Sequence, residues 1–182
     1  MKIIFRKVKE SDLEKIRSWR TKPEVSRYMY TDPSITAEEQ LQWFRRIDSD
    51  STKKYWIVNV DGQDLGLALL YDIDLRNKRA SWAYYIGEEN YRGIGVGKNI
   101  ELNILSYVFD TLSLNKLCCE VLVENERVVK IHEKFGSKVE GIRRQHVLKG
   151  DEYKDIVEMG ILKEEWESIK DNFEYIKGTF VD

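Results

Sequence analysis

Arg92-Gly93-Ile94-Gly95-Val96-Gly97-Lys98 sets three glycines between two cations, directly after a strand-like run and directly before a long stretch with helical spacing. Glycine lets a backbone come close to a ligand and take conformations that a Cβ forbids. The first free N–H groups of a helix, together with its dipole, attract an anion. The segment therefore predicts a loop that holds phosphate, built from Arg92, Gly93, Ile94, Gly95, Val96, Gly97 and Lys98. A plain turn and a dinucleotide fingerprint are the rival readings. The fingerprint needs a further glycine where Lys98 stands and an acid closing a second strand, whereas Asp110 falls inside the helical pattern.

Upstream of the loop, Ile3 to Val8 reads as a strand, and Ser11 with Glu14 as a capping box for a short helix carrying Leu13, Ile16 and Trp19. Lys22-Pro23-Glu24 and Thr31-Asp32-Pro33 break the chain around Tyr28 and Met29. Thr36 and Glu39 form a second capping box before Leu41, Phe44 and Ile47. Tyr55 to Val60 and Leu65 to Ile73 alternate as a hairpin about Asp61-Gly62, and Ala80 to Ile86 adds a third strand.

Downstream, apolar stripes from Val96 to Thr111 predict a helix packed on more than one side. Leu117 to Val123 reads as a buried strand. Asn125 is placed to cap a helix ended by Gly136, then Val139 to Leu148 and Asp155 to Leu162 form a hairpin, and Trp166 to Ile176 a terminal helix. This order predicts an α+β fold with a mixed central sheet of about seven strands, as one domain over residues 1–182.

Composition narrows the function. A hydrophobic fraction of 42%, a charged fraction of 34% and 2 prolines describe an ordinary globular chain. A net charge of -2 gives no general pull toward nucleic acid, so phosphate contacts should be local. No apolar run reaches membrane-span length, and the N-terminal segment is too short for a signal peptide, so a cytoplasmic location is expected. Adjacent Cys118 and Cys119 point to opposite faces of a strand and read as core thiols, and the two histidines and two cysteines have no metal-ligand spacing.

The Arg92-x-x-Gly95-x-Gly97 pattern resembles the pyrophosphate loop of the GNAT superfamily of acyl-CoA N-acyltransferases, and the order of elements resembles the GNAT fold over essentially the whole chain. Asn125-Glu126-Arg127-Val128-Val129-Lys130-Ile131-His132-Glu133-Lys134-Phe135-Gly136 is similar to the family's second helical motif. Gly141 to Trp166 is similar to the C-terminal hairpin of the ribosomal-protein N-terminal acetyltransferases. Trp19-Arg20-Thr21-Lys22-Pro23-Glu24-Val25-Ser26-Arg27-Tyr28-Met29, with Lys53 to Val58, resembles the N-acetyltransferases of pseudaminic-acid biosynthesis, which acetylate a UDP-linked 4-amino-4,6-dideoxy sugar for flagellin. The resemblance implies acetyl-CoA as donor, a small-molecule amine as acceptor, a monomer or homodimer, and no metal.

Transfer to an amine needs a base, because a free alkylamine has a pKa near ~10. The resemblance implies Glu120 in that role, with Glu124 in reserve on the same strand face; the family's other site, near Ser81, lacks a carboxylate. His132 stands where the family usually has a tyrosine that protonates the leaving sulfur. A backbone N–H near Tyr85, Ile86 and Gly87 should meet the developing oxyanion, and Asn125 the pantetheine arm. Trp19, Arg20, Tyr28 and Met29 would bind a nucleotide-sugar acceptor through an aromatic face and a diphosphate partner. Each also has a plain structural reading, His146 in the last hairpin most of all. Protein N-terminal or polyamine acetylation, a non-catalytic acyl-CoA-binding module and an NAD-binding domain are the rival functions.

Overall fold

In the computed structural model, residues 1–31 and 34–181 are described, so Asp32 and Pro33 of the second predicted break lie outside them. Alternating apolar residues produce eight strands: β1 Ile3–Lys7, β2 Lys54–Val60, β3 Gln63–Asp74, β4 Arg79–Ile86, β5 Lys116–Leu122, β6 Lys138–Lys149, β7 Glu152–Leu162 and β8 Thr179–Val181. They form one sheet in the order β6-β7-β5-β4-β3-β2-β1-β8. Neighbours are antiparallel except β4 with β5 and β1 with β8. Asp61 and Gly62 turn the β2–β3 hairpin with φ of 50° and 87°, as a tight hairpin requires.

Strand periodicity separates two apolar layers. Trp56, Val58, Ala68 and Leu70 join the main core under α4 (Val96–Ser106), α5 (Glu126–Lys134) and α6 (Lys163–Ile169). Ile57 and Leu67 face the other way, against Ile16 and Trp19 of α1 (Leu13–Arg20) and Phe44 of α3 (Ala37–Ser49). Pro23 opens the one-turn helix α2 (Pro23–Ser26), where its missing N–H costs nothing. Trp19, Trp56 and Trp166 are fully buried, and truncating any one to alanine would cost about 3–5 kcal/mol.

Local signals behaved unevenly. The Thr36–Glu39 capping box is present in both directions, with Thr36 Oγ1 accepting from Glu39 N at 3.2 Å and Glu39 Oε2 from Thr36 N at 2.8 Å. The Ser11–Glu14 box is not: a 3-10 turn spans Glu10–Asp12, Asp12 accepts from Lys9 N, and Glu14 binds Arg17. The predicted terminal helix stops at Ile169, and the chain instead returns as an eighth strand. Asn99 and Asn103 of α4 dock that tail, accepting from Ile176 N and Gly178 N at 2.7 Å each.

The parallel pair β4–β5 decides where a ligand can enter. Pairing covers only Arg79↔Lys116, Ala80↔Leu117 and Ser81↔Cys118, although β4 continues to Ile86 and β5 to Leu122. Beyond Ser81 the strands part, leaving a slot open at their carboxyl ends, where ligands of α/β sheets bind.

Candidate active site

Backbone alternation lines the slot. Gly87 N–H donates to Leu65 O at 2.8 Å, so Gly87 and, two residues earlier, Tyr85 turn their polar backbone groups toward β3. Tyr84 and Ile86 turn theirs toward the parted β5. Of the predicted set Tyr85, Ile86 and Gly87, it is therefore Ile86 whose N–H is turned toward the slot, while those of Tyr85 and Gly87 are taken up by β3. On β5, Val123 N donates to Asp155 O, which by the same alternation leaves the Glu120 backbone facing the slot. An extended amide-bearing arm could therefore pair with both edges.

The glycine loop sits at the slot's mouth. Gly93 and Gly95 hold φ of 83° and 88° with nothing within 4 Å of an added Cβ, so it is the left-handed backbone that selects glycine there. Gly95 is the N-cap of α4 and offers no side-chain cap, and the first turn carries no acid. The N–H groups of Val96, Gly97 and Lys98 thus point out of the helix end without intrahelical partners. A Cβ on Gly97 would stand 3.0 Å from the Tyr84 hydroxyl, which seats α4 on β4. Arg92 closes the loop: its Nε and Nη2 donate to Ile86 O at 3.2 and 2.9 Å. Ile94 is exposed on the loop's outer side.

The two predicted catalytic side chains emerge on opposite faces of the sheet. Glu120 alternates with buried Cys119 and shares the α1 face with Ser81 and Ala83. Tyr30 Oη donates to Glu120 Oε2 at 3.0 Å, and Arg143 Nη1 lies 3.5 Å from Oε1. Burial pushes the Tyr30 phenol well up, and the Glu120 charge adds to it, so Tyr30 stays a donor. Glu124 does not share this face: it lies past the end of β5, exposed, beside Lys154 at 3.4 Å. His132 belongs to the other face, 5% exposed, with its ring edge-on to Trp82 at 5.3 Å and Nδ1 2.8 Å from Glu101 Oε1. Asn125 starts α5 by its backbone alone; its side chain makes no cap bond, contrary to the predicted cap, and its amide is free for a ligand.

Residues 2–138 match the family described as the acetyltransferase (GNAT) domain. The chain belongs to the GNAT acetyltransferases. It is 28% identical over 130 residues to the acetyltransferase PseH of Campylobacter jejuni, covering 71% of this chain and 78% of that one. It is 26% identical over 162 residues to the spermidine N(1)-acetyltransferase of Escherichia coli, covering 89% and 87%. The fold also superimposes on spermidine N-acetyltransferase from Vibrio cholerae, solved with CoA and spermine, with a TM-score of 0.84 at 22% identity over 91% of this chain and 98% of that one. As a GNAT enzyme the chain is an acetyl-CoA-dependent N-acetyltransferase, and the slot, the glycine loop and the acid-free first turn of α4 suit that donor.

Acceptor-side residues in this GNAT chain are arranged differently from the expectation. Trp19 is 1% exposed, packed against Gly87 and edge-on to Tyr85, with Nε1 donating to Glu88 at 2.6 Å. Its ring offers no face to a ligand and serves instead as the rigid support of the β4 end. Lys22 reinforces it by donating to Gly87 O at 2.8 Å. Arg20 donates to Thr31 at 2.6 Å, while its Nε and the Tyr85 hydroxyl are buried without partners among the described residues. Tyr28 is 37% exposed under the Arg27 guanidinium at 5.1 Å, and Met29 is half-buried beside it. His146 is exposed near Arg143 at 3.3 Å.

Several residues escaped the sequence reading. Lys149 Nζ, at the tip of the β6–β7 hairpin, donates to the carbonyls of Ser26, Arg27 and Met29 at 2.7, 2.8 and 2.6 Å, pinning the loop that carries Tyr30. Tyr30, Arg143 and Lys149 have no local signature, because their partners are far along the chain. Glu101 did carry one, as a lone acid amid the apolar stripes of α4. Cys118 is half-buried and Cys119 buried, both unpaired, and burial pushes the Cys119 thiol well up, away from nucleophilic use.

Proposed function

We propose that this acetyltransferase acts on the 4-amino group of a UDP-linked 4-amino-4,6-dideoxy sugar, in the biosynthesis of pseudaminic acid for flagellin. The observation that carries this reading is the cationic, under-satisfied acceptor side: among the described residues the buried Arg20 Nε and Tyr85 hydroxyl lack partners, and the Arg20 charge acts on the Tyr85 phenol. Buried polar groups call for partners, and the oxygens of a nucleotide sugar supply them. Similarity to PseH points the same way. In this reading Glu120, held by Tyr30, takes the proton of the incoming amine on the α1 face. His132 supplies the proton to the leaving sulfur from the opposite face, and Asn125 steadies the donor's arm.

The second reading is a polyamine acceptor. It is favoured by similarity to spermidine acetyltransferases over 89% of the chain, and by Glu120 and Glu158 standing opposite one another on β5 and β7. Thiol release from acetyl-CoA, measured in parallel with UDP-4-amino-4,6-dideoxy-N-acetylaltrosamine, spermidine and an amine-terminal peptide, tests both. The sugar should be preferred. Preference for spermidine or the peptide would overturn the amino-sugar reading, and silence with all three despite acetyl-CoA binding would favour another acceptor.

A further inference from the structure

Among the described residues the Glu101 carboxylate is the most deeply enclosed charge in the core, 1% exposed on α4, and its Oε2 has no partner. Burying a carboxylate with one oxygen unsatisfied is costly, so an isolated structural role is a poor account of it. Among the described residues its side chain makes one hydrogen bond, to His132 Nδ1 at 2.8 Å. A carboxylate can only accept, so the proton in that bond belongs to Nδ1.

The pair is buried behind β4, at the level where β4 and β5 stop pairing. The ring of His132 packs on Trp82, the first β4 residue beyond the last β4–β5 pair, and Trp82 stacks on Tyr84 at 5.6 Å. Tyr84 in turn reaches under Gly97. A line of side chains thus runs from His132 through Trp82 and Tyr84 to the glycine loop. His132 Nε2 has no hydrogen bond among the described residues. The titratable groups that feel the Glu101 charge are Tyr84 on β4 and Cys119 on β5, and Arg127 on α5 acts in turn on Tyr84. Burial, with the Glu101 charge, pushes the Tyr84 phenol and the Cys119 thiol well up, so neither competes as a proton donor at neutral pH.

We infer that Glu101 is the positioning residue of a buried carboxylate–imidazole pair, which holds the His132 proton on Nδ1 and leaves Nε2 as the nitrogen that serves the leaving sulfur. This rests on the reading of His132 given above and deepens it. The C–N bond forms as the amine's proton passes to Glu120. The C–S bond breaks with its electron pair on sulfur, and sulfur takes the Nε2 proton from the doubly protonated ring, leaving a neutral ring whose Nδ1 proton is still donated to Glu101. The negative carboxylate balances the charge that the ring carries before transfer.

A double-mutant cycle over E101Q and H132A tests it, with acetyl-CoA and the amino sugar or spermidine, beside NMR of the imidazole nitrogens. The chain's 2 histidines make assignment simple through H146A. H132A should lower kcat on the order of 10²-fold, and E101Q at least ~10-fold with the acetyl-CoA KM little changed. E101Q should add nothing in the H132A background, because it acts through that ring. In the wild type the neutral ring should carry its proton on Nδ1, a bias lost in E101Q. Wild-type kcat in E101Q beside a crippled H132A would sink the role of Glu101 alone, and so would additive losses. Wild-type turnover in H132A would remove the His132 reading and this inference with it. If neither acceptor turns over, the NMR decides: a neutral ring protonated on Nε2, or unmoved by E101Q, overturns the proposal.

Discussion

Replacing Lys149 by methionine isolates the contact between the β6–β7 hairpin and the loop that carries Tyr30, which the proposed function places on the acceptor side. The ammonium donates three hydrogen bonds of 2.6 to 2.8 Å to the carbonyls of Ser26, Arg27 and Met29, and the next residue, Tyr30, donates to Glu120. A hydrogen bond to a charged group contributes about 1.5–3 kcal/mol. The three share one ammonium and are not additive, and the freed carbonyls can bind water. Together they should contribute about 2–3 kcal/mol. If that is carried in global stability, Tm falls by about 4–10 °C at this chain length; if it loosens the loop alone, Tm moves less and the acceptor side bears the loss. Kinetically, 1.4–2 kcal/mol of lost loop order lowers acceptor kcat/KM about 10- to 30-fold, while the acetyl-CoA KM stays within about twofold. Thiol-release kinetics with each substrate varied in turn, beside thermal unfolding, reads both. Equal changes in both KM values, or none in kinetics or Tm, would refute the clamp.

Glu120→Gln should lower kcat on the order of 10²-fold with unchanged unfolding, measured by thiol release, if the carboxylate takes the amine proton. Gly95→Ala forces a Cβ onto a φ of 88°; the strain of about 1–2 kcal/mol should raise the acetyl-CoA KM without a clash, as isothermal titration with CoA would also register. Burial opposes the charge of Asp64, but bonds from Arg6, Asn59 and Lys15 outweigh it and hold the carboxyl at about 2. A folded pKa below the unfolded ~3.9 means stability that is present above pH ~4 and lost as pH falls toward ~2, about 2 kcal/mol in all. Urea unfolding across that window should show the loss in the wild type and a flatter acid limb in Asp64→Asn.

What was legible along the chain was local. Alternation marked the strands to within a few residues, Asp61-Gly62 marked its hairpin, and Thr36 with Glu39 its cap. The glycine loop was readable because positive φ and open N–H groups are demands on the loop's own backbone. Signals that looked local but failed did so where a distant partner outbid them. Asp12 took the α1 start because Arg6 already binds its carboxylate at 2.8 Å. The tail became a strand because Asn99 and Asn103, more than 70 residues earlier, capture its backbone.

The sequence by itself determined the family, the donor and the glycine loop's backbone, since these follow from chemistry confined to neighbouring residues. Only the tertiary structure decided which backbone groups of β4 face the slot, that Trp19 is a sealed support, and that Glu120 and His132 approach from opposite faces. It also chose their partners: Tyr30 for Glu120 from 90 residues away, Glu101 for His132 from 31, and Lys149 for a loop 120 residues earlier. Those pairings depend on which strands part and which helices cover each face. Both are settled by packing across the whole sheet, and no short stretch of residues encodes them.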